Sequence, residues 1–395
     1  MSLLAQHGYG KANKIDRALE TDLVSGVVLS PKAESLDRLS DFSVEISRKY
    51  SNAKIYFDPQ FYICGMQGDI VAGKLSEYPY YSPSLTRANL SAPQSLHDYT
   101  EKAISLQRSI PVSAIISPCI AFDNFDGRES QTAISLAYES IDQTSANQEL
   151  FVSLCIHVNA FSNYPAMEDF LNVISLLDVK GFYIIIERAN ATDKPTAISE
   201  STLSNIMQFL YTLSTLNGFE IIMGYSDLIS IPLSTVGNID FACGWYNNLK
   251  MFSESSFHPS TGGRRPRKRY TSGVLMSSLL LVPEIATLNR LGISPRIASP
   301  SPFNSILFPN LYDADWTDEI SCLHNWYTLN SILHETELQG SVSHKLDFIV
   351  DRIKAALQIY QEIDESGIPL EEKSNNSHLK IWLSAINNFR NQIGI

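Results

Sequence analysis

The sequence is poor in the features that most quickly assign a chain. Its five cysteines, at positions 64, 119, 155, 243 and 322, include no pair at CxxC spacing. That removes the common dithiol and zinc motifs and fits a reducing compartment. The most apolar stretches, Phe182–Ile186 and Leu279–Val282, fall far short of the roughly 20 residues that cross a bilayer. The opening Met1-Ser-Leu-Leu-Ala-Gln-His-Gly8 lacks the basic start and apolar core of a secretory leader. We therefore expect a cytoplasmic protein with no membrane partner. HxH and HxxxH spacings are missing, as is a GxGxxG turn after the first expected strand, so no motif implies a metal or a dinucleotide cofactor. Basic residues are outnumbered, 30 against 42 acidic, for a net charge of −12. Such a chain does not bind polyanions over its whole surface, and any nucleic-acid contact has to be local.

What is present is a recurrence of short, β-branched apolar runs separated by longer helical patterns. Seven runs read as buried parallel strands: Val24–Ser30, Lys54–Asp58, Ser113–Ser117, Phe151–His157, Gly181–Glu187, Phe219–Gly224 and Ile239–Gly244. Amphipathic patterns lie between them, at Ser35–Tyr50, Ser95–Arg108, Ser130–Ser145, Met167–Leu177 and Thr202–Leu216. The alternation predicts a (β/α)8 TIM-type barrel, irregular at its eighth strand. For that strand the pattern offers Arg296–Ser299, after a helix at Val274–Leu291, or else Lys268–Thr271; we favour the first. The division expected is a barrel over 1–300 and a helical C-terminal extension over 301–395 packed on it. The extension carries helices at Asp318–Glu337, Ser341–Ile363 and Ser377–Ile393.

Strand phase nominates the site. In the run ending at His157, Val152, Leu154 and Ile156 form an apolar face, and Ser153, Cys155, His157 and Asn159 form the opposite, inward one. Barrel enzymes carry their chemistry at the C-terminal ends of the strands. By the same phase argument Asp58, Glu187 and Asp227 join His157 as acid, base or nucleophile candidates. Lys32, Ser117, Asn159 and Arg188 are candidate ligand contacts, and Trp245, Tyr246 and Asn247 follow the seventh run. Each strand-end carboxylate taken alone is equally well a helix cap or an ion-pair partner; their recurrence on separate strands is what points to a site.

One segment runs against the acidic whole. Arg264, Arg265, Arg267, Lys268 and Arg269 fall within six positions, beside Gly262, Gly263 and Pro266. This loop suits a phosphorylated small molecule, a nucleotide or a nucleic-acid strand. It equally suits an acidic protein surface, its own C-terminal helices included. The leading expectation is an enzyme that hydrolyses or transfers at a glycosidic or phosphoester bond of an anionic, nucleotide-like ligand. The alternatives are a non-catalytic barrel subunit that contacts a protein or nucleic-acid complex through the basic loop and C-terminal helices, and a metal-dependent hydrolase. In architecture alone the arrangement is similar to the tRNA-guanine transglycosylases, barrels that exchange bases at glycosidic bonds with strand-end carboxylates. The clustered cysteine zinc motif of that family is missing here.

Overall fold

In the computed structural model, residues 1–189, 198–259, 262, 267–308, 311 and 314–395 are described. Eleven strands occur among them. They are β1 (Leu3–Gln6), β2 (Gly26–Leu29), β3 (Lys54–Phe57), β4 (Ile115–Ile116), β5 (Ala121–Phe122), β6 (Leu150–His157), β7 (Gly181–Glu187), β8 (Glu220–Met223), β9 (Ile239–Cys243), β10 (Arg269–Ser272) and β11 (Ser277–Leu280). The parallel sheet runs β3-β2-β1-β9-β8-β7-β6-β4, with β5 also on β6. β4 pairs low on β6 (Ile115 with Leu150) and β5 pairs high (Ala121 with Cys155). The two are thus one barrel strand interrupted at Ser117-Pro-Cys-Ile120, where a proline cannot donate to a ladder. Ser117 spans the break, its hydroxyl accepting from Ser153 N at 2.9 Å. The remaining seam, between β3 and β4, is closed by Ser113: its N–H donates to Ile55 O at 2.7 Å, and its hydroxyl accepts from Ile55 N at 2.9 Å. The result is a nearly closed barrel of eight parallel strands, consistent with a (β/α)8 fold.

The structure corrects the eighth strand. Arg296–Ser299 is not a strand; Ser294–Ile297 is a short helical turn. Residues 269–272 do form a strand, but in a separate antiparallel hairpin with β11, and that second arm takes the place of the first part of the helix expected at Val274–Leu291, of which Ala286–Arg290 is helical. The missing barrel strand is β1, at the very start of the chain. It pairs on both edges, with β2 (Ala5 with Val27) and with β9 (Leu4 with Ala242), and Leu3, Leu4 and Ala5 are buried. Its Leu-Leu-Ala core carries no β-branched residue, so propensity is silent and tertiary pairing alone makes it a strand.

Helices coat the barrel. α1 (Lys14–Glu20), α2 (Leu36–Lys49), α3 (Pro93–Arg108), α4 (Arg128–Gln143), α5 (Tyr164–Ile174) and α6 (Glu200–Tyr211) follow successive strands, and after β8 there is only one turn, α7 (Ser230–Leu233). The C-terminal helices α8 (Asp318–Glu337), α9 (Val342–Glu365) and α10 (Ser377–Ile393) complete the coat. α8 packs on α1, β1 and α7, the place of an eighth barrel helix, and meets β10 and α9 on its other sides. Five consecutive residues of α8, Cys322 to Trp326, are therefore buried, where a surface helix buries a stripe. Thr317 caps its first turn by accepting from Ile320 N, and Trp326 Nε1 donates to Cys243 O at the end of β9 at 2.9 Å. α9 lies on α7 and α10 on α6, where Phe389 meets Tyr211 edge to face. No helix among the described residues is long and apolar enough to cross a membrane.

Candidate active site at the barrel mouth

The strand ends hold two layers of polar groups. The lower one is centred on Asp58, which is fully buried. Oδ1 accepts from Gln60 N at 2.9 Å, and Oδ2 accepts from Tyr62 OH at 2.8 Å and Tyr183 OH at 3.1 Å. Burial pushes the Asp58 carboxyl up to about 6; the three donated hydrogen bonds oppose that rise. The hydroxyl directions in this layer are forced. Gln60 Nε2 donates to Tyr225 OH at 2.9 Å. Tyr62 has spent its proton on Asp58, so the 3.3 Å contact between the two phenols runs from Tyr225 to Tyr62. Gln60 and Tyr225 both have a left-handed backbone, φ +51°. Such non-glycine conformations cost energy and persist only where surroundings impose them. Gln60 is also held by Lys32 N, which donates to its Oε1 at 2.9 Å. Gly224 makes room for the Tyr183 hydroxyl: a Cβ there would stand 2.5 Å from it. Phe252, from the segment after β9, roofs the layer, meeting Tyr62 and Tyr225 edge to face at 5.0 and 5.2 Å.

The upper layer is a row across the rim. His157 and Glu187 are register partners at the ends of β6 and β7, and Asp123 follows β5 one position beyond the pair Phe122 and Ile156. Glu254 joins from the segment after β9, its N–H donating to Glu187 Oε1 at 3.3 Å. Burial is the largest cause holding the Glu187 carboxyl up at about 7, and the negative charges of Glu254 and Asp123 add to it. His157 Nδ1 accepts from Asn159 N at 3.2 Å. Partial burial pulls its pKa below the ordinary value, against the pull of Asp123 and Glu254. It is thus a neutral imidazole at pH 7, with Nδ1 an acceptor and the proton on Nε2. Arg188 is buried beside the row, and its N–H donates to Phe252 O at 2.8 Å. Cys155, one inward step below His157, senses both Glu187 and Asp58, which places it between the layers.

The remaining nominated residues are elsewhere. Asp227 is buried against Lys250 (3.7 Å), with Cys243 and Asn325 also on its Oδ1. Lys32 lies over the Phe257 ring, 3.7 Å from its centroid, and burial lowers its pKa to about 8. Ser117 is spent on the strand break, and the side chain of Asn159 is exposed. Trp245 Nε1 donates to Tyr9 O at 2.9 Å, Tyr246 packs on its edge, and Asn247 opens a single turn whose carbonyl accepts from Lys250 N. Of the basic loop, Arg264 and Arg265 lie outside the described residues. Arg267 and Arg269 both pair with Glu371, Arg269 at 2.7 Å, and Lys268 is exposed. These two arginines therefore bind the chain's own C-terminal region rather than the mouth.

Strand phase did not nominate Gln60, Tyr62, Tyr183, Tyr225, Asp123 or Glu254. Tyr183 shares the inward face of Glu187 and follows from the phase argument. Asp123 needed the two-residue strand β5, and Glu254 sits in a loop with no periodicity.

A cleft of about 300 Å³ opens on the same face, between the segment after β3 and the segment after β9. Met66, Ile70, Tyr81 and Pro259 give it apolar walls, and Asp69 and Ser84 give it polar ones. His258 connects it to the rim row: its ring lies beside Gly68 of the cleft wall, and its Nε2 is 3.9 Å from Glu254 Oε1. Among the described residues, no group of three or more His, Cys, Asp or Glu side chains is placed to hold a metal ion. Compared with protein-family models, curated proteins and solved structures, the chain matches none.

Proposed function

We propose that the protein is a hydrolase or transferase acting at a glycosidic bond, with Glu187 as the proton donor. The observation that carries this reading is the rim row, in which a half-neutral carboxyl, Glu187, adjoins Glu254 at the ends of the barrel strands. A carboxyl held partly protonated beside other carboxyl groups is the arrangement that glycosidic cleavage uses. Glu187 would deliver its proton to the leaving atom as the bond to the sugar carbon breaks. Glu254 or Asp123 would stabilise the cationic sugar and take a proton from the incoming water or acceptor hydroxyl. His157 Nε2–H is a hydrogen-bond donor for a sugar hydroxyl.

The same carboxylates weigh against the phosphorylated ligand expected from the basic loop. The acidic side chains of Asp123 and Glu254 act on Glu187 from nearby, and Arg267 and Arg269 are already engaged by Glu371. Between a glycosidic and a phosphoester bond, the local electrostatics favour the first. The test is a panel of nucleosides and aryl glycosides assayed with the parent protein and Glu187→Gln. The variant is expected to lose about 10² to 10⁴-fold in kcat. Turnover unaffected by the substitution overturns the assignment.

A further inference from the structure

The cleft beside the rim row has no part in the proton transfers just described, and its chemistry is specific enough to name an occupant. Its volume of about 300 Å³ corresponds to about ten water molecules at roughly 30 Å³ each. That is room for one planar ring system. Met66, Ile70 and Pro259 supply flat apolar contact, and Tyr81 offers a ring face. The polar groups are few. Asp69 is acceptor-only when ionised, and the Ser84 hydroxyl both donates and accepts. Among the described residues no Lys or Arg lines the cleft, and its one charged lining side chain is Asp69, which disfavours a phosphate there. Ser84 is held at φ +57°, a third left-handed non-glycine residue on this face after Gln60 and Tyr225.

We infer that this cleft seats the leaving group of the substrate, and that the leaving group is an uncharged or cationic aromatic ring bearing an N–H donor, of the nucleobase or aminoaryl kind. The inference rests on the glycosidic reading for the word leaving group; the binding of the ring does not. The side chains of Met66, Ile70 and Pro259 take the ring face, Asp69 accepts from its amino group, and the point of attachment is the end that faces His258 and the rim row. The cleft thereby selects nucleosides over nucleotides, since a phosphate would sit among carboxylates.

The two readings can fail separately. In Glu187→Gln protein, which keeps the cleft but lacks the proton donor, adenine and 4-aminophenol are titrated by calorimetry, with AMP and cyclohexanol as controls. The expected result is saturable binding of at least one amino-bearing ring, with AMP and cyclohexanol at least tenfold weaker. Asp69→Asn should weaken the ring about tenfold, and Ile70→Trp, which fills the slot from a half-buried loop position, should abolish binding. Either variant binding as the parent does, or neither ring binding, overturns the cleft assignment even if aryl glycosides turn over. Ring binding that both variants reduce, without turnover of any glycoside by the parent protein, upholds the cleft and overturns the glycosidic reading. Tighter binding of 4-aminophenol than of adenine identifies an aryl alcohol rather than a base as the source of the ring.

Discussion

Glu187, the proposed proton donor, should be a stability defect, and the size of that defect follows from its surroundings. It is only 6% exposed, and its carboxyl is raised from 4.5 to about 7, chiefly by burial. Each tenfold change in proton affinity is worth about 1.4 kcal/mol. Because the folded pKa lies above the unfolded one, the protonated side chain favours the fold below pH 4.5, and that advantage is lost as pH rises through 7. Above pH 7 the folded state therefore carries about 3 kcal/mol of unfavourable charge burial. Glu187→Gln keeps the Oε1 acceptor for Glu254 N and removes the charge. At pH 8 the variant should be more stable by up to about 3 kcal/mol, and at pH 4 it should match the parent. For a chain of this length unfolding entropy is roughly 0.8 kcal/mol per degree, so Tm should rise about 3–4 °C at pH 8. Urea melts of both proteins at pH 4, 6 and 8 measure it. A difference that does not vary with pH, or a variant less stable at pH 8, refutes the picture of a buried carboxyl strained by Glu254 and Asp123.

Two other perturbations probe the surrounding frame. Gly224→Ala places a methyl against the Tyr183 hydroxyl; displacing that phenol from Asp58 should cost about 1–3 kcal/mol, read by chemical denaturation, and an unchanged midpoint would show that Tyr183 is not held in its place by Gly224. Lys250→Met strands Asp227 in a buried position without its cation and should destabilise by about 3 kcal/mol at pH 7. Adding Asp227→Asn to Lys250→Met should recover part of the loss, and no recovery would mean that packing rather than the ion pair is responsible.

The barrel was legible because its middle strands are rich in β-branched residues and sharply phased. Gly181–Glu187 is a strand with the predicted bounds, and the helices at Asp318–Glu337 and Ser377–Ile393 match residue for residue. Failures fell where pattern and pairing diverge. Leu3–Gln6 is a central strand without a single β-branched residue. Ser277–Leu280, in the apolar stretch expected to be a helix, became one arm of a hairpin, as short apolar runs of ambiguous period do. At the site, phase located His157 and Glu187 on one rim, because register partners on adjacent strands must share it. It did not foresee that Asp58 would accept from the Tyr62 and Tyr183 phenols, with Tyr225 in turn on Tyr62, since Tyr62 and Tyr225 lie past their strand ends, in segments whose course is set by left-handed turns. It could not separate Asp227 from the others either, because Lys250 and Asn325 arrive from distant segments.

The pairing of β1 with β9 also has a consequence for synthesis. Leu3–Gln6 is synthesised well before Ile239–Cys243, so one of its two edges finds a partner only when that later segment has emerged. At about 5–20 residues per second, that edge stays open for roughly 12 to 50 seconds. A growing chain of this protein thus carries an uncapped apolar strand edge through that interval, and the contact it waits for joins the earliest strand of the barrel to the last of the parallel ones. Anything that shortens this interval or shields Leu3 and Leu4 during it, a bound chaperone or a slower start downstream, acts on yield without touching the finished fold.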